Sequence, residues 1–160
     1  MPASFTIKRT TTADPHFTLM IRYLDHELWH ELKEDQATYD QFNNVEHIDT
    51  AVVVYSGDTP VASGCFKEFD PQTIEIKRMF VQKPYKGRGI SRQVLQELET
   101  WASEKSYRFA ILETSIHFLA ARNLYTSAGY QIIPNYAQYE NLEESICMRK
   151  ALAHSRARQV

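Results

Sequence analysis

Residues 75–91, EIKRMFVQKPYKGRGIS, decide the fold of this 160-residue chain. The segment 73–82 carries apolar side chains at intervals typical of a strand. Gly87 and Gly89 then interrupt the pattern, because glycine permits backbone conformations that break regular structure. Beyond them, apolar residues recur at helical spacing, as Ile90, Val94, Leu95, Leu98, Trp101 and Ala102. The sequence therefore predicts a strand, a glycine turn and a helix, in that order.

Before this stretch, the sequence predicts a strand, a helix and a β-hairpin. Residues 5–10 have the alternation of a half-buried strand. Asp14 and Pro15 have the form of an N-cap followed by the first helical residue. Residues 34–49 are polar and indicate either a short second helix or a loop. The hairpin is formed by residues 50–56, a turn at 57–60 and residues 61–69.

After this stretch, the sequence predicts a buried strand, a helix and two final strands. The strand covers residues 108–115, the helix covers 118–128 and ends at Gly129, and the last strands cover 130–133 and 145–149. The order of elements predicts an α/β (α+β) fold, a mixed sheet of about seven strands with about four helices packed on it. One domain is expected over residues 1–152, followed by a C-terminal tail, 153–160.

The composition is that of an ordinary globular protein, with 43% hydrophobic and 24% charged residues. The net charge of −2 excludes a bulk electrostatic attraction to nucleic acid or to an anionic membrane. The first residues lack the apolar core of a signal peptide, and the longest apolar run, 51–55, is far too short to span a bilayer. A cytoplasmic location is expected, and Cys65 and Cys147 are interpreted as reduced core thiols rather than as a disulfide.

The glycine turn has the chemistry of an anion site. Two glycines let successive backbone amides face the start of the following helix, whose N-terminus carries about half a positive charge. Such a helix N-terminus can bind a pyrophosphate. Lys86, Arg88 and Arg92 add positive charge nearby. The alternative is a tight turn with solvated basic residues, because the pattern matches neither a phosphate loop nor a dinucleotide fingerprint.

Taken together, residues 75–81 and 84–90 resemble the central motif of the GNAT superfamily of N-acetyltransferases. Leu112-Glu113-Thr114, Leu124-Tyr125 and Gly129-Tyr130 resemble the next strand and helix of the same family. The resemblance implies a GNAT-like acyl-CoA N-acyltransferase fold whose sheet is splayed between the fourth and fifth strands, often with a bulge in the fourth. It departs from the family pattern at Lys86, Ser91 and Phe118.

The resemblance also implies a reaction. The chain is expected to transfer the acetyl group of acetyl-CoA to a primary amine of a small molecule by direct attack in a ternary complex, without a metal. Alternatives are acetylation of a protein or peptide amine, or a non-catalytic acyl-CoA-binding sensor. The family also allows a homodimer.

Site residues follow from the resemblance alone. The expected acetyl-CoA contacts are Met79, Phe80, Val81, Lys86, Gly87, Arg88, Gly89, Ile90, Ser91 and Asn123. Tyr125 corresponds to the family's general acid, and Glu75 falls where some relatives place a catalytic glutamate. The alternatives are that Tyr125 packs as a helix tyrosine, and that Glu75 is exposed or pairs with Lys77 or Arg78.

Several further residues are candidates for acceptor binding. Glu113 could bind a substrate ammonium, share the role of base or form a salt bridge. Trp29 could contact the acceptor or pack its helix on the sheet, and His117 could lie near the acetyl group. Tyr136 and Tyr139 of the last loop could likewise contact the acceptor at the pocket rim or simply pack. His26 and His30 share a helix face, but no third ligand accompanies them, so no metal site is predicted.

Overall fold

The computed structural model describes residues 4–32 and 47–153 of the chain. The chain divides into two compact units, the first comprising Met1–Phe66 and Lys77–Leu98 and the second comprising Lys67–Ile76 and Glu99–Val160. Seven strands form one sheet in the order β1-β2-β3-β4-β5-β7-β6. The sheet is mixed and confirms the predicted fold class, whereas the single domain over residues 1–152 stays a prediction.

In the first unit, an antiparallel meander follows the predicted pattern. Strand β1, Phe5–Thr10, pairs with β2, Ala51–Ser56, which pairs with the first part of β3, Thr59–Asp70. The hairpin turn contains only residues 57 and 58, because Thr59 and Pro60 already belong to β3. The predicted four-residue turn was therefore too long by two residues.

The first helix, α1, covers Pro15–Leu32. Asp14 begins it as predicted, because its Oδ1 accepts a hydrogen bond of 2.8 Å from the backbone N–H of His16. Phe17 is buried in a core cluster with Ala51, Val53 and Cys65. Most of the predicted short helix or loop at 34–49 lies outside the described residues.

Strand β4, Thr73–Val81, leads through a 3₁₀ turn, Lys83–Tyr85, into helix α2, Ile90–Glu104. The apolar stripe of this helix is buried as predicted at five of its six positions, namely Ile90, Val94, Leu95, Leu98 and Ala102. The strand, the glycine turn and the helix thus follow one another as the sequence predicted.

In the second unit, the start of β4 pairs in parallel with β5, Phe109–Ser115, through Thr73–Glu75 and Phe109–Ile111. Strand β5 pairs with β7, Ser145–Ala151, which pairs with β6, Gln131–Ile133. Helix α3, Leu119–Ser127, is followed by Gly129, whose φ is +103°.

Three α-helices are described, α1, α2 and α3, and the fourth expected helix falls on residues 34–49. None of the helices in residues 4–32 and 47–153 combines the length and the apolar character needed to cross a bilayer. Cys65 and Cys147 are both buried thiols, as expected.

Candidate active site

In the first unit, the backbone of the glycine turn has the conformation that the sequence predicted. Gly87 and Gly89 both have φ of +79°, a region that side chains with a Cβ rarely occupy. A Cβ built on either glycine would meet no atom within 4 Å. Conformation rather than packing therefore requires glycine here, and the open space outside the turn allows a ligand to approach the backbone closely.

Helix α2 begins directly after this turn. Its first helical hydrogen bond runs from the N–H of Gln93 to the carbonyl of Gly89, with a length of 3.2 Å. The N–H groups of residues 90–92 come before that bond and belong to the helix N-terminus, which attracts anions. Ile90 anchors the start of the helix because its side chain is buried. The turn therefore offers backbone N–H donors whose positions are fixed by the buried start of α2.

The basic side chains of the turn have partners. Lys86 Nζ lies 2.6 Å from Glu27 Oε1 on α1, and both side chains are partly exposed. The guanidinium of Arg88 lies over the ring of Tyr85, 5.4 Å from its centroid. Tyr85 in turn packs its ring edge-on against Phe5. The positive charge predicted for the turn is present, but the charge of Lys86 is shared with a carboxylate.

Strand β4 contains a backbone irregularity at Arg78. Arg78 has φ of +59°, which a non-glycine residue rarely adopts within a strand. Its side chain is only 7% exposed, and its Nη1 donates a 2.7 Å hydrogen bond to Asp25 Oδ1 on α1. The resemblance led us to expect an irregularity in the fourth strand. It precedes Met79, Phe80 and Val81, the expected cofactor segment, in which Phe80 and Val81 are buried.

In the second unit, the predicted base is buried. Glu75 is 3% exposed, so the alternative of an exposed strand residue is wrong. The hydroxyl of Tyr136 donates a hydrogen bond of 2.7 Å to Glu75 Oε2. Burial, and then the charge of Glu75, raise the pKa of the Tyr136 hydroxyl above its usual range, so it stays protonated as a donor.

Tyr136 belongs to a small aromatic cluster. Phe69 and Tyr139 pack edge-on against its ring, with centroids 5.3 Å and 5.6 Å away. Tyr139 is fully buried rather than placed at a pocket rim. The sequence suggested both tyrosines only as aromatic residues of the last loop, and no spacing signal linked them to Glu75.

The predicted general acid, Tyr125, is also buried in the second unit. Its ring packs edge-on against Tyr130 at a centroid distance of 5.9 Å. The hydroxyl of Tyr130 donates a 2.9 Å hydrogen bond to Glu99, which also pairs with Lys150 at 2.7 Å. Burial, and then the charge of Glu113, raise the pKa of Tyr125 above its usual range. Tyr125 is therefore a protonated phenol at neutral pH.

The second carboxylate, Glu113, accepts a 2.7 Å hydrogen bond from the hydroxyl of Ser145. It lies opposite Cys147 in the pairing of β5 with β7. Burial is the main cause that raises the pKa of the Cys147 thiol to about 11. A backbone hydrogen bond at Tyr136 opposes it, and the charges of Glu113 and then Glu75 raise the pKa by smaller amounts. The charges of Glu75 and Glu113 thus both raise the pKa of the same buried thiol.

The other candidate residues are exposed or are not described in full. His117 Nε2 pairs with Glu144 Oε1 at 2.8 Å on the surface of the second unit. Asn123 is exposed on α3. The backbone of Trp29 belongs to α1, but its side chain lies outside the described part. Within residues 4–32 and 47–153, no group of three His, Cys, Asp or Glu side chains is placed to hold a metal ion.

The fold has known counterparts among solved structures. A Klebsiella pneumoniae protein described as an acyl-CoA N-acyltransferase matches it with a TM-score of 0.78 and 25% identity, over 95% of this chain and 100% of that one. A GNAT family acetyltransferase of Elizabethkingia anophelis, solved with acetyl-CoA bound, matches with a TM-score of 0.65 and 18% identity, over 92% and 98% of the two chains. The fold is thus that of acyl-CoA N-acyltransferases.

The sequence comparison gives the family. The model of the acetyltransferase (GNAT) family matches residues 17–130, and the chain belongs to that family. It is 34% identical over 100 residues to the uncharacterized N-acetyltransferase YsnE of Bacillus subtilis strain 168. This match covers 61% of this chain and 66% of YsnE. The matched part thus spans just under two thirds of YsnE, and it spans 31% and 25% of two further curated relatives.

Proposed function

We propose that this chain is an N-acetyltransferase that moves an acetyl group from acetyl-CoA to a primary amine of a small molecule. The observation that carries the proposal is the glycine turn. In a chain of the acetyltransferase (GNAT) family, Gly87 and Gly89 adopt positive φ directly before the N-terminus of α2. A structural neighbour of the same fold has acetyl-CoA bound, which supports the choice of cosubstrate.

The residues of the turn suit the pyrophosphate of coenzyme A. The space outside Gly87 and Gly89 is open, and the amides of residues 90–92 precede the first helical bond. We assign diphosphate binding to the backbone of residues 86–91, and contact with the rest of the cosubstrate to Met79, Phe80, Val81 and Asn123. Acetyl-CoA, when bound, supplies an acetyl group activated as a thioester.

Glu75 takes the role of base in this proposal. An alkyl ammonium with a pKa of about 10.4 is mostly protonated at neutral pH and must lose a proton before its nitrogen can attack a carbonyl carbon. Glu75 is buried and hydrogen-bonded, as a positioned acid–base group is expected to be. Its carboxylate accepts the ammonium proton, and the neutral amine then forms the new C–N bond as the C–S bond breaks. The second proton that the nitrogen loses ends on the departing sulfur, so the products are the amide and coenzyme A with a free thiol.

Tyr125 assists the departing sulfur. Its raised pKa keeps the phenol protonated, so its hydroxyl can donate a hydrogen bond to a developing thiolate. The ordinary pKa of a thiol, about 8.5, lies below the raised pKa of this phenol, so full transfer of the phenol proton to the thiolate is unfavourable. The hydrogen bond itself therefore supplies most of the stabilisation.

The burial of Glu75 supports a slender acceptor. A carboxylate that is only 3% exposed is accessible to an amine on a thin chain rather than to a broad surface. Amino acids, polyamines and amino sugars satisfy this condition. Glu113 and His117 remain candidates for contact with the acceptor, as does Trp29. A cytoplasmic location and a homodimer stay predictions.

The test is release of free thiol from acetyl-CoA when the protein is mixed with lysine, spermidine or glucosamine. We expect turnover with at least one of these amines, and Tyr125→Phe should lose turnover while calorimetry shows unchanged binding of coenzyme A. Binding of coenzyme A without turnover on these amines or on a lysine-containing peptide would favour the sensor. Turnover only on the peptide would favour a protein acceptor.

A further inference from the structure

We propose that Tyr136 is a positioning residue that orients the Glu75 carboxylate for proton removal from the acceptor amine. This inference rests on the proposed function, in which Glu75 is the base. Tyr136 lies in the segment between β6 and β7, 61 residues along the chain from Glu75. It acts through Glu75 and is assigned no contact of its own with the acceptor.

The hydrogen bond between the two residues has a carboxylate as its acceptor. The Tyr136 hydroxyl and Glu75 Oε2 are 2.7 Å apart, the usual length of an O–H···O hydrogen bond, and a bond to an ionised acceptor is stronger than one between neutral groups. Because Glu75 is buried, water contributes little to holding its carboxylate in one orientation. A hydroxyl donor whose own position is fixed by protein contacts can orient the carboxylate instead.

Tyr136 is itself held by its neighbours. Its ring lies between Phe69 and Tyr139, both in edge-on contact. The preceding residue, Asn135, directs its side-chain amide at the carbonyls of Tyr139, Leu142 and Ser145, at 3.1 to 3.2 Å. One amide group thus closes the turn of chain that carries Tyr136. The hydroxyl therefore reaches Glu75 from a braced support, as positioning of a catalytic group requires.

The titratable surroundings of Glu75 fit this role. Tyr136 and Tyr139 face it from the β6–β7 segment, and Cys147 faces it from β7. The pKa of each of these three groups is raised above its ordinary value, chiefly by burial, so all three are uncharged at neutral pH. Glu113 on β5 is the second negative charge that acts on Tyr139 and Cys147. Of these groups, Tyr136 donates a hydrogen bond to the Glu75 carboxylate.

The experiment compares Tyr136→Phe with a matched control, Tyr107→Phe. Phenylalanine keeps the ring and its edge-on contacts and removes only the hydroxyl. In the same unit, the Tyr107 hydroxyl donates a 2.7 Å hydrogen bond to Glu68 on the protein surface, so the control removes a bond of the same kind and length elsewhere. Glu75→Gln is measured in parallel, with whichever of lysine, spermidine or glucosamine is acetylated by the wild type.

The readout is kcat/KM for the amine between pH 6.5 and 9.5. A weakened base leaves only the amine that is already neutral in solution, and that fraction rises about tenfold per pH unit below the pKa of the amine. We expect Tyr136→Phe to be about tenfold slower than the wild type at pH 7, a part of the 10²–10⁴-fold that a positioned base contributes. The deficit should shrink to about twofold or less at pH 9.5. Glu75→Gln should show a larger deficit with the same trend.

The control should follow the wild-type profile, and calorimetry should give unchanged binding of acetyl-CoA for every variant. Phe69→Leu loosens the ring of Tyr136 without touching its hydroxyl, and a smaller deficit of the same pH dependence is expected. A deficit of Tyr136→Phe that is constant across the pH range would mean a structural role and overturn the inference.

Two further outcomes separate this inference from the proposed function. If Glu75→Gln is impaired while Tyr136→Phe matches the wild type, the inference fails and the proposed function stands. If Glu75→Gln keeps full activity, Glu75 is not the base, and the inference fails with that assignment although acetyl transfer itself is confirmed. If the wild type releases no thiol with any of the three amines, the proposed function fails and the inference fails with it.

Discussion

Lys86 Nζ lies 2.6 Å from Glu27 Oε1, so the cation that opens the glycine turn is paired with a carboxylate of α1. Lys86, which departs from the family pattern, is therefore held in an ion pair. A lysine presents a point charge rather than a planar fork, and here that charge is shared with Glu27. A diphosphate bound at the turn would have to compete with this carboxylate for Lys86.

Glu27→Gln is expected to strengthen binding of coenzyme A. The substitution removes a negative charge that competes for Lys86 and repels the diphosphate. Because the pair is partly exposed, the effect should be modest, about a two- to fivefold lower Kd at low ionic strength. It should fade above about 0.1 M salt, where exposed charges are screened over about 10 Å. Calorimetry with coenzyme A at two salt concentrations measures it.

The matched control for this prediction is Asp58→Asn. Asp58 is exposed in the β2–β3 turn, and its substitution changes the net charge by the same amount. We expect its affinity for coenzyme A to equal that of the wild type. Equal affinities for both variants would show that the ion pair with Lys86 has no influence on diphosphate binding.

Alanine at Gly87 or Gly89 is expected to weaken both the fold and the binding of coenzyme A. At φ of +79°, a Cβ costs about 1–2 kcal/mol, and no neighbouring atom adds a clash. Differential scanning calorimetry should show a Tm lower by about 2–8 °C. If the turn relaxes to avoid the strain, binding must restore it, and the Kd for coenzyme A should rise by about tenfold.

Gly57→Ala separates the two effects. Gly57 also has positive φ, +60°, and open space around its missing Cβ, but it lies in the β2–β3 turn. We expect it to lower the Tm by a similar amount and to leave the Kd for coenzyme A unchanged. If all three alanine variants bind coenzyme A like the wild type, the glycine turn does not hold the diphosphate.

The sequence predicted those features whose signal is local. Gly87 and Gly89 were recognisable because glycine is itself the residue that tolerates positive φ, and the buried stripe of α2 followed from helical spacing. Arg78 also has positive φ, but arginine carries no such signal. Its conformation depends on the surrounding strand and on the bond to Asp25, which lies 53 residues away along the chain.

The partner of Glu75 could not be predicted for a similar reason. Tyr136 lies in a segment without helical or strand periodicity, where spacing does not indicate which way a side chain points. Three-dimensional packing brings it to Glu75. The aromatic composition of the last loop suggested only that its tyrosines pack or line a site, and it could not separate these two roles.

The ion pair between Arg78 and Asp25 is expected to stabilise the irregular part of β4. The Arg78 side chain is buried while Asp25 is 45% exposed, so the pair is intermediate between a surface and a buried salt bridge. A double-mutant cycle with Asp25→Ala and Arg78→Ala, followed by urea unfolding, should give a coupling of about 1–2 kcal/mol.

Lys8 and Asp14 provide the comparison for that cycle. Their charged atoms are 3.4 Å apart, against 2.7 Å for Arg78 and Asp25, and each pair joins one buried and one exposed side chain, so the coupling of Lys8 and Asp14 should be below about 1 kcal/mol. Equal couplings in the two cycles would contradict the view that the shorter contact strengthens the pair of Arg78 and Asp25.

The raised pKa of the Cys147 thiol predicts that the folded chain loses stability in alkali. Burial raises the pKa of this thiol to about 11 in the folded chain, from the ordinary value of 9.0 for a cysteine. Between these two values the unfolded chain has released the proton and the folded chain has kept it, so the free energy of unfolding falls as the pH rises. At about 1.4 kcal/mol per unit, the contribution of this thiol to stability is complete below pH 9, and up to about 3 kcal/mol of it is lost by pH 11.

Cys147→Ala removes this titration. Under reducing conditions, urea unfolding at pH 8 and at pH 11 should show the variant losing less stability than the wild type, by up to about 3 kcal/mol. Val94→Ala is the control, because it also shortens a fully buried side chain but removes no titratable group. Its difference from the wild type should be the same at both pH values. If the difference between Cys147→Ala and the wild type is also the same at both pH values, the thiol has the same pKa in the folded and unfolded chains. Neither its burial nor the charges of Glu75 and Glu113 would then raise that pKa.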